Sequence, residues 1–129
     1  MRPPKVRVCG GAIISTRMVL TAAHCVKKNS QSVQVDAENI TVYIGIHNTD
    51  TDLVPMNLYT VEYYWIHPDY GEVGPIPVWD IAILALTNTL PIVSNYSRAI
   101  ELPQQQHTFT LNTTFVASGW GWVVQVSHY

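Results

Sequence analysis

The feature of this sequence that most limits its fold is the short spacing of its turn-forming residues. Glycine and proline recur at short intervals, and the segments between them are rich in Val, Ile, Thr and Tyr. This composition is typical of β-strands and tight turns. In one segment Ile40, Val42 and Ile44 alternate with other residues and share one face of a strand. Another segment, Ile81 to Leu86, is apolar on both faces and predicts a buried central strand.

The other strand candidates are equally short. They cover Tyr59 to Ile66, Ala12 to Ser15, Met18 to Thr21 and Phe115 to Ser118. Only Thr21 to Cys25 resembles a helical turn, and no segment has a long helical period. Short strands without long helices predict a single all-β domain, built as an antiparallel barrel or sandwich.

Composition excludes several classes of function. The 129 residues are 47% hydrophobic and 12% charged, about half the usual charged share of roughly 25%, which excludes a disordered charged tail. The net charge is −2, and without a basic cluster we expect no nucleic-acid partner. The longest aliphatic run has six residues, whereas a membrane-spanning helix needs roughly 20, so no membrane association is predicted.

Sequons and cysteines indicate the secretory pathway. Acceptor triplets for N-glycosylation begin at Asn39, Asn95 and Asn112. Three such triplets, together with an even number of cysteines, favour a secreted, extracellular protein. The first eight residues contain positive charge but no apolar core, so no signal peptide is recognised. We therefore expect that the start of the protein is missing.

Two residues, His24 and Asp80, are the candidates for chemistry. A core or capping role remains an open interpretation for His24, as for most histidines. Asp80 directly precedes an apolar strand, where a carboxylate needs a partner because burial removes its solvation. An imidazole N–H is a suitable donor, and an imidazole held in this way presents its other nitrogen as a general base.

Metal binding is not predicted from the histidines. The others are His47, His67, His107 and His128. They lack HxxxH or Cys-x-x-Cys spacing, so the sequence predicts neither a zinc site nor a cofactor.

Four motifs occur in a fixed order along the chain. They read CGGAIIS from Cys9 to Ser15, VLTAAHC from Val19 to Cys25, DIAIL from Asp80 to Leu84, and SGWG from Ser118 to Gly121. In this order they resemble the amino-terminal half of the trypsin-like (chymotrypsin-family) serine endopeptidases. The landmarks span 113 of the 129 positions. The resemblance implies a six-stranded Greek-key β-barrel, one of the family's two, over residues 1–121, followed by an unmatched tail of residues 122–129.

The resemblance also implies roles for individual residues. His24 would be the general base, and Asp80 would orient its imidazole and stabilise the protonated form. A disulfide would join Cys9 to Cys25. Trp79 is bulkier than the small polar residue usual before this aspartate, and we expect it to reshape a neighbouring subsite. In the family's optional calcium loop, Ile46 replaces the glutamate of calcium-binding members, so no calcium is expected despite Asp50 and Asp52.

The family's third catalytic group has no counterpart in this sequence. No Gly-Asp-Ser-Gly segment occurs, and in the family the oxyanion hole and specificity pocket belong to the second barrel. We therefore expect a fragment of a secreted serine endopeptidase that is inactive by itself. Its implied partners are polypeptide substrates, protease inhibitors and the missing second barrel. A non-catalytic homologue acting as a binding module and an unrelated β-barrel binding protein remain alternatives, but retention of both His24 and Asp80 favours the peptidase.

Overall fold

The computed structural model describes residues 9–28, 33–49, 51–91, 97–106 and 108–120. Within these ranges the chain forms strands and short 3₁₀ helices, and no α-helix. The strands are β1 (Ala12–Ile13), β2 (Met18–Thr21), β3 (Lys27–Lys28), β4 (Val33–Gln34), β5 (Thr41–Tyr43), β6 (Leu58–Ile66), β7 (Gly71–Val73), β8 (Ile76–Val78) and β9 (Ala82–Leu86). The 3₁₀ helices cover Ala23–Val26, Ala37–Asn39 and Pro55–Asn57. In the described ranges, no helix has the length and apolar character needed to cross a membrane.

The main sheet is antiparallel and has the strand order β1-β2-β9-β6-β5. Strand β9 lies at its centre, and four of its five residues are buried. This position follows from the sequence, because a strand that is apolar on both faces is stabilised only when both faces are covered. The sheet curls into a half-barrel. The predicted all-β, trypsin-like antiparallel fold and its buried central strand are therefore confirmed.

The core is built on the strands of this sheet and the segments next to them. Its buried cluster consists of Val19, Ala23, Val26, Val61, Ala82, Leu84, Leu86 and Leu90. Ile40, Val42 and Ile44 pack against the cluster from the segment around β5, as their alternation predicts. Strands β2, β6 and β9 are thus held together by side chains as well as by backbone hydrogen bonds.

A glycine allows the first two strands to approach closely. A Cβ atom on Gly11 would lie 2.8 Å from Cγ1 of Val19 and 3.0 Å from the carbonyl oxygen of Leu20. Val19 is buried in the core, so its side chain can yield to an added Cβ only by disturbing the residues packed against it. Glycine is therefore required here by the packing of the chain against β2.

A small hairpin leads to Asp80. Strands β7 and β8 pair through a turn in which Gly74 has a positive φ of 63°. None of the strands predicted from the sequence falls in this hairpin. Its pairing segments have three residues each, and Pro77 lies within β8, so the β-pattern is too weak to be recognised.

The last described segment, residues 108–120, contains no strand. The strand predicted for Phe115 to Ser118 is therefore wrong, and in the described residues the main sheet has five strands. The side chains of Phe115 and Val116 are 66% and 94% exposed. Because β-prone residues form a strand only when a neighbouring strand pairs with them, the local sequence preference is not sufficient here. Gly121 and the predicted tail of residues 122–129 lie outside the described residues.

Candidate active site

A short 3₁₀ turn at the end of β2 places His24. Ala23 and Val26, at the two ends of this turn, are 0% and 1% exposed and anchor it in the core. The backbone N–H of Cys25 closes the turn by donating to the carbonyl oxygen of Ala22 at 3.1 Å. Because the ends are buried, the residues between them project outward, and the side chain of His24 is 52% exposed. The imidazole is therefore fixed at its base and accessible at its tip.

Asp80 lies in a tight turn immediately before β9. The N–H of Ile81 donates to the carbonyl oxygen of Trp79 at 2.8 Å, which closes a three-residue turn centred on Asp80. Trp79 itself has a left-handed backbone conformation, with φ of 54°. The side chain of Asp80 is 21% exposed, so the carboxylate is largely shielded and points toward the turn that carries His24.

The two side chains meet through two hydrogen bonds. One carboxylate oxygen of Asp80, Oδ2, lies 2.7 Å from Nδ1 of His24. The other, Oδ1, accepts the backbone N–H of His24 at 2.8 Å. When the carboxylate is ionised it can only accept, so Nδ1 carries the proton and Nε2 carries the lone pair. This arrangement orients the ring and presents a basic nitrogen at its exposed edge.

The surroundings of Asp80 keep its carboxylate ionised. Desolvation is the largest influence on the pKa of Asp80 and raises it. The hydrogen bonds from the His24 ring and backbone, the charge of His24 and the backbone N–H of Ala23 act in the opposite direction. Their sum outweighs desolvation, and the pKa of Asp80 lies below its usual value. The carboxylate is therefore a stable partner for a protonated imidazole near neutral pH.

A disulfide borders the histidine. Cys9 and Cys25 are bonded to each other, across 16 residues of sequence, as the resemblance implies. Sγ of Cys25 lies 3.6 Å from Nε2 of His24. The three ligand atoms of Cys9, His24 and Cys25 would be close enough to hold a metal ion, but both sulfurs are already used in the disulfide. The bond instead ties the chain before β1 to the turn that carries the imidazole.

Most of the chain is similar to one family of known proteins. The family model described as Trypsin matches residues 4–127. The chain belongs to the trypsin family. This agrees with the order of its motifs and with the close pairing of His24 and Asp80 across 56 residues of sequence.

Individual relatives in the trypsin family are similar along most of the chain. Serine protease 7 of Drosophila melanogaster is 34% identical over 88% of this chain and 31% of its own length. Trypsin of Simulium vittatum is 37% identical over 88% of this chain and 40% of its own length. Serine protease 28 of Mus musculus is 32% identical over 93% of this chain and 40% of its own length. The chain thus spans less than half the length of these curated relatives.

The loop at which some members of the trypsin family bind calcium is stabilised here by one carboxylate. Oδ2 of Asp52 accepts the backbone N–H groups of His47 and Asn48 at 2.9 and 2.7 Å, and Oδ1 accepts the hydroxyl of Thr51 at 2.8 Å. These hydrogen bonds, led by that from Asn48, lower the pKa of Asp52. Both oxygens are thus used within the loop. Asp50, the other acidic candidate, lies outside the described residues.

The structure describes two of the three asparagines that begin the sequons. Asn39 ends a 3₁₀ helix and is exposed, and Asn112 is exposed with a positive φ of 72°. Both are accessible to a glycosylating enzyme, and their modification stays a prediction. Asn95 lies outside the described residues.

Sequence reasoning missed one neighbour of the site. The ring of His67 stacks on the indole of Trp79, with ring centroids 4.7 Å apart and planes 10° from parallel. The spacing of the histidines excludes His67 as a metal ligand, and the sequence gives it no role beside Asp80. No local pattern could have revealed the contact, because the two rings are brought together by the pairing of β6 with β9.

Proposed function

We propose that this chain carries the general base and its orienting carboxylate of a serine endopeptidase. His24 is the base and Asp80 is the group that orients it. The observation that carries the proposal is the two-point contact between them, in which one carboxylate binds both Nδ1 and the backbone N–H of the same histidine. Two contacts fix both the position and the tilt of the ring, which a single exposed ion pair would leave variable.

The chemistry assigned to this pair is peptide-bond hydrolysis by acyl transfer. Nε2 of His24 takes the proton from a serine hydroxyl as that oxygen attacks the scissile carbonyl, and later gives it to the leaving amine. Asp80 stays ionised and stabilises the imidazolium that forms between these steps. Its lowered pKa supports this role, because the carboxylate does not compete for the transferred proton.

The nucleophile and the oxyanion hole are assigned to a second barrel. The 129-residue sequence contains no Gly-Asp-Ser-Gly segment, and the chain covers 31–40% of the length of the relatives described above. In this proposal, residues 1–121 correspond to the first barrel of a peptidase domain. The family match continues to residue 127, into the tail of residues 122–129 that the motifs left unmatched. The chain alone is then inactive, because the base has no hydroxyl to activate.

A reconstructed domain tests the proposal. The second barrel of the Simulium vittatum trypsin is fused after Gly121, with an activatable amino terminus, and assayed with a chromogenic peptide and a serine-protease inhibitor. We expect inhibitor-sensitive turnover. The variant Asp80→Asn should reduce kcat by about 10⁴-fold, since it favours the wrong imidazole tautomer.

Two further variants complete the test. His24→Ala should remove nearly all turnover because base and nucleophile act as a unit. His47→Ala serves as the matched control, since this exposed histidine lies in the Asp52 loop. A folded fusion whose turnover is indifferent to His24→Ala would show that the assigned roles are wrong. Inhibitor-sensitive turnover by the 129-residue chain alone would place the nucleophile within it.

A binding module is the second candidate function. It is favoured by the lack of the nucleophile motif in this sequence. Under either function we propose that the protein is secreted and glycosylated and that its partners are polypeptides, including substrates or protease inhibitors. If the reconstructed fusion folds but is inactive, while the chain retains tight binding to a protease inhibitor, the binding module is the better assignment.

A further inference from the structure

A single residue outside the proposed catalytic pair, His67, contacts both chain neighbours of Asp80. The backbone N–H of His67, just after the end of β6, donates to the carbonyl oxygen of Ile81 at 3.0 Å. The ring of the same histidine stacks on Trp79. Ile81 and Trp79 are the two chain neighbours of Asp80, so His67 contacts the residue before it and the residue after it.

The backbone of Trp79 needs such support. A bulky residue with φ of 54° adopts a conformation that L-residues other than Gly, Asn and Asp rarely use. Such a conformation persists only where its surroundings hold it. Trp79 as a residue is 59% exposed, so burial in the core does not supply that constraint. The contacts that hold Trp79 are its ring stack with His67 and the hydrogen bond that its carbonyl oxygen accepts from Ile81.

The direction of the Asp80 side chain depends on this conformation. A tight three-residue turn begins at Trp79 and ends at Ile81, so a change in the backbone of Trp79 rotates the turn that carries the carboxylate. Both oxygens of Asp80 make hydrogen bonds to His24 of 2.7 and 2.8 Å. Such a rotation would lengthen at least one of them.

We infer that His67 and Trp79 are positioning residues, which act through Asp80 to set the orientation of the His24 imidazole. The ring of His67 is itself placed by its own segment, since its Nδ1 accepts the backbone N–H of Asp69 at 3.2 Å. Through the ring stack, the segment that follows β6 therefore determines the position of the turn before β9. The consequence for catalysis rests on the proposed function, whereas the positioning of Asp80 does not.

The positioning is tested by NMR on the full 129-residue chain. The measured signal is the low-field Nδ1–H proton of His24, which reports its hydrogen bond to Asp80. We expect that His67→Ala weakens this signal or shifts it upfield, and that Trp79→Asn does the same, because asparagine accepts the left-handed backbone but cannot replace the stack. His67→Phe should retain the signal, since a phenyl ring can still stack on the indole.

Trp65→Ala is the matched control. Trp65 is also a half-exposed tryptophan in an aromatic pair, 49% exposed and 4.6 Å from the ring of Tyr63, but its ring partner belongs to β6 and not to the segment that carries Asp80. Its variant should leave the signal unchanged. Thermal melting of each variant identifies any that unfolds. If His67→Ala does not fold, the exposed position of Trp79→Asn decides the outcome. A wild-type signal in either folded stack variant overturns the inference.

A double-mutant cycle in the reconstructed fusion separates positioning from a general structural effect. His67→Ala should lower kcat/KM by about 10- to 100-fold, as expected when a catalytic group is misplaced by up to about 1 Å. In the Asp80→Asn background, His67→Ala should lower kcat/KM little further, because the carboxylate through which His67 acts is already absent. Equal effects in both backgrounds contradict the inference. Absence of all activity contradicts the proposed function, while the NMR result still decides the positioning.

Discussion

Two apolar segments of this chain have opposite surroundings. In strand β9, Leu84 and Leu86 are 5% and 0% exposed, whereas in the segment of residues 108–120 Leu111 and Val116 are 95% and 94% exposed. The difference lies in their neighbours. Strand β9 pairs with β2 on one edge and with β6 on the other. The later segment makes a local turn at Thr110 and Thr113, an edge-to-face ring contact between Phe109 and Phe115, and a hydrogen bond from the indole N–H of Trp120 to the carbonyl oxygen of His47. Apolar residues therefore contribute to stability here only where neighbouring elements cover them.

The comparison predicts its largest effect for matched leucine truncations. Leu86→Ala should lower the free energy of unfolding by about 2–5 kcal/mol, because it removes buried surface and leaves a cavity. Leu111→Ala should change it by less than about 0.5 kcal/mol, since its side chain is in solvent. Urea denaturation measures both. A loss above 1.5 kcal/mol for Leu111→Ala, roughly a tenfold change in the folding equilibrium, would show that residues 108–120 pack in solution.

The next largest effect is expected from loss of the disulfide that joins the chain before β1 to the turn after β2. Replacing Cys9 and Cys25 together by Ser should lower the free energy of unfolding by about 3 kcal/mol on chain-entropy grounds. The measurement is urea denaturation under non-reducing conditions, with reduced wild-type chain as the control. Labelling of two free thiols in unfolded, unreduced protein from an oxidising host would contradict the bond.

A smaller effect is expected from two matched glycine substitutions. Gly11→Ala should lower the free energy of unfolding by about 1–3 kcal/mol, because its methyl group would overlap with buried Val19. At Gly119, in the exposed segment, a Cβ would have nothing within 4 Å, and Gly119→Ala should be close to neutral. Thermal melting compares the two. Equal shifts in Tm would show that the close approach before β2 is not rigid.

The contrast also explains how much could be predicted from the sequence. Strands β5, β6 and β9 were recognisable because their alternation or continuous apolar character matches the faces that they bury. The pairing of His24 with Asp80 followed from the family resemblance and from the need of a shielded carboxylate for a donor. The strand predicted at Phe115 failed because local β-propensity cannot show whether a partner strand is present. The stack of His67 on Trp79 was equally invisible, since it depends on strand register.

The smallest effect is the response of stability to acid. The folded-state pKa of Asp80 is lowered, so its ionised form stabilises the fold above the unfolded pKa of about 3.9, and this contribution is lost as the pH falls through the lower folded value. Between about pH 5 and about pH 2, the wild type should therefore lose more stability than Asp80→Asn. The pKa of Asp52 is lowered as well, so the Asp80→Asn variant should still lose some stability as the pH falls. Identical pH profiles by urea denaturation would contradict the lowered pKa.

The pairing of β2 with β9 has a consequence for how the site can form during folding. Thr21 lies opposite Ala82, and His24 and Asp80 lie just beyond this last pair. A slip of two residues between these strands would keep every side chain on its own face, yet would move the carboxylate by about 7 Å relative to the imidazole. The hydrogen bond between Asp80 and Nδ1 of His24 therefore forms only in chains whose β2 and β9 are paired in the native register. It joins residues 56 positions apart, and such distant contacts are slow to close. In refolding experiments the Nδ1–H proton should consequently appear with correct strand alignment, later than the collapse of the chain.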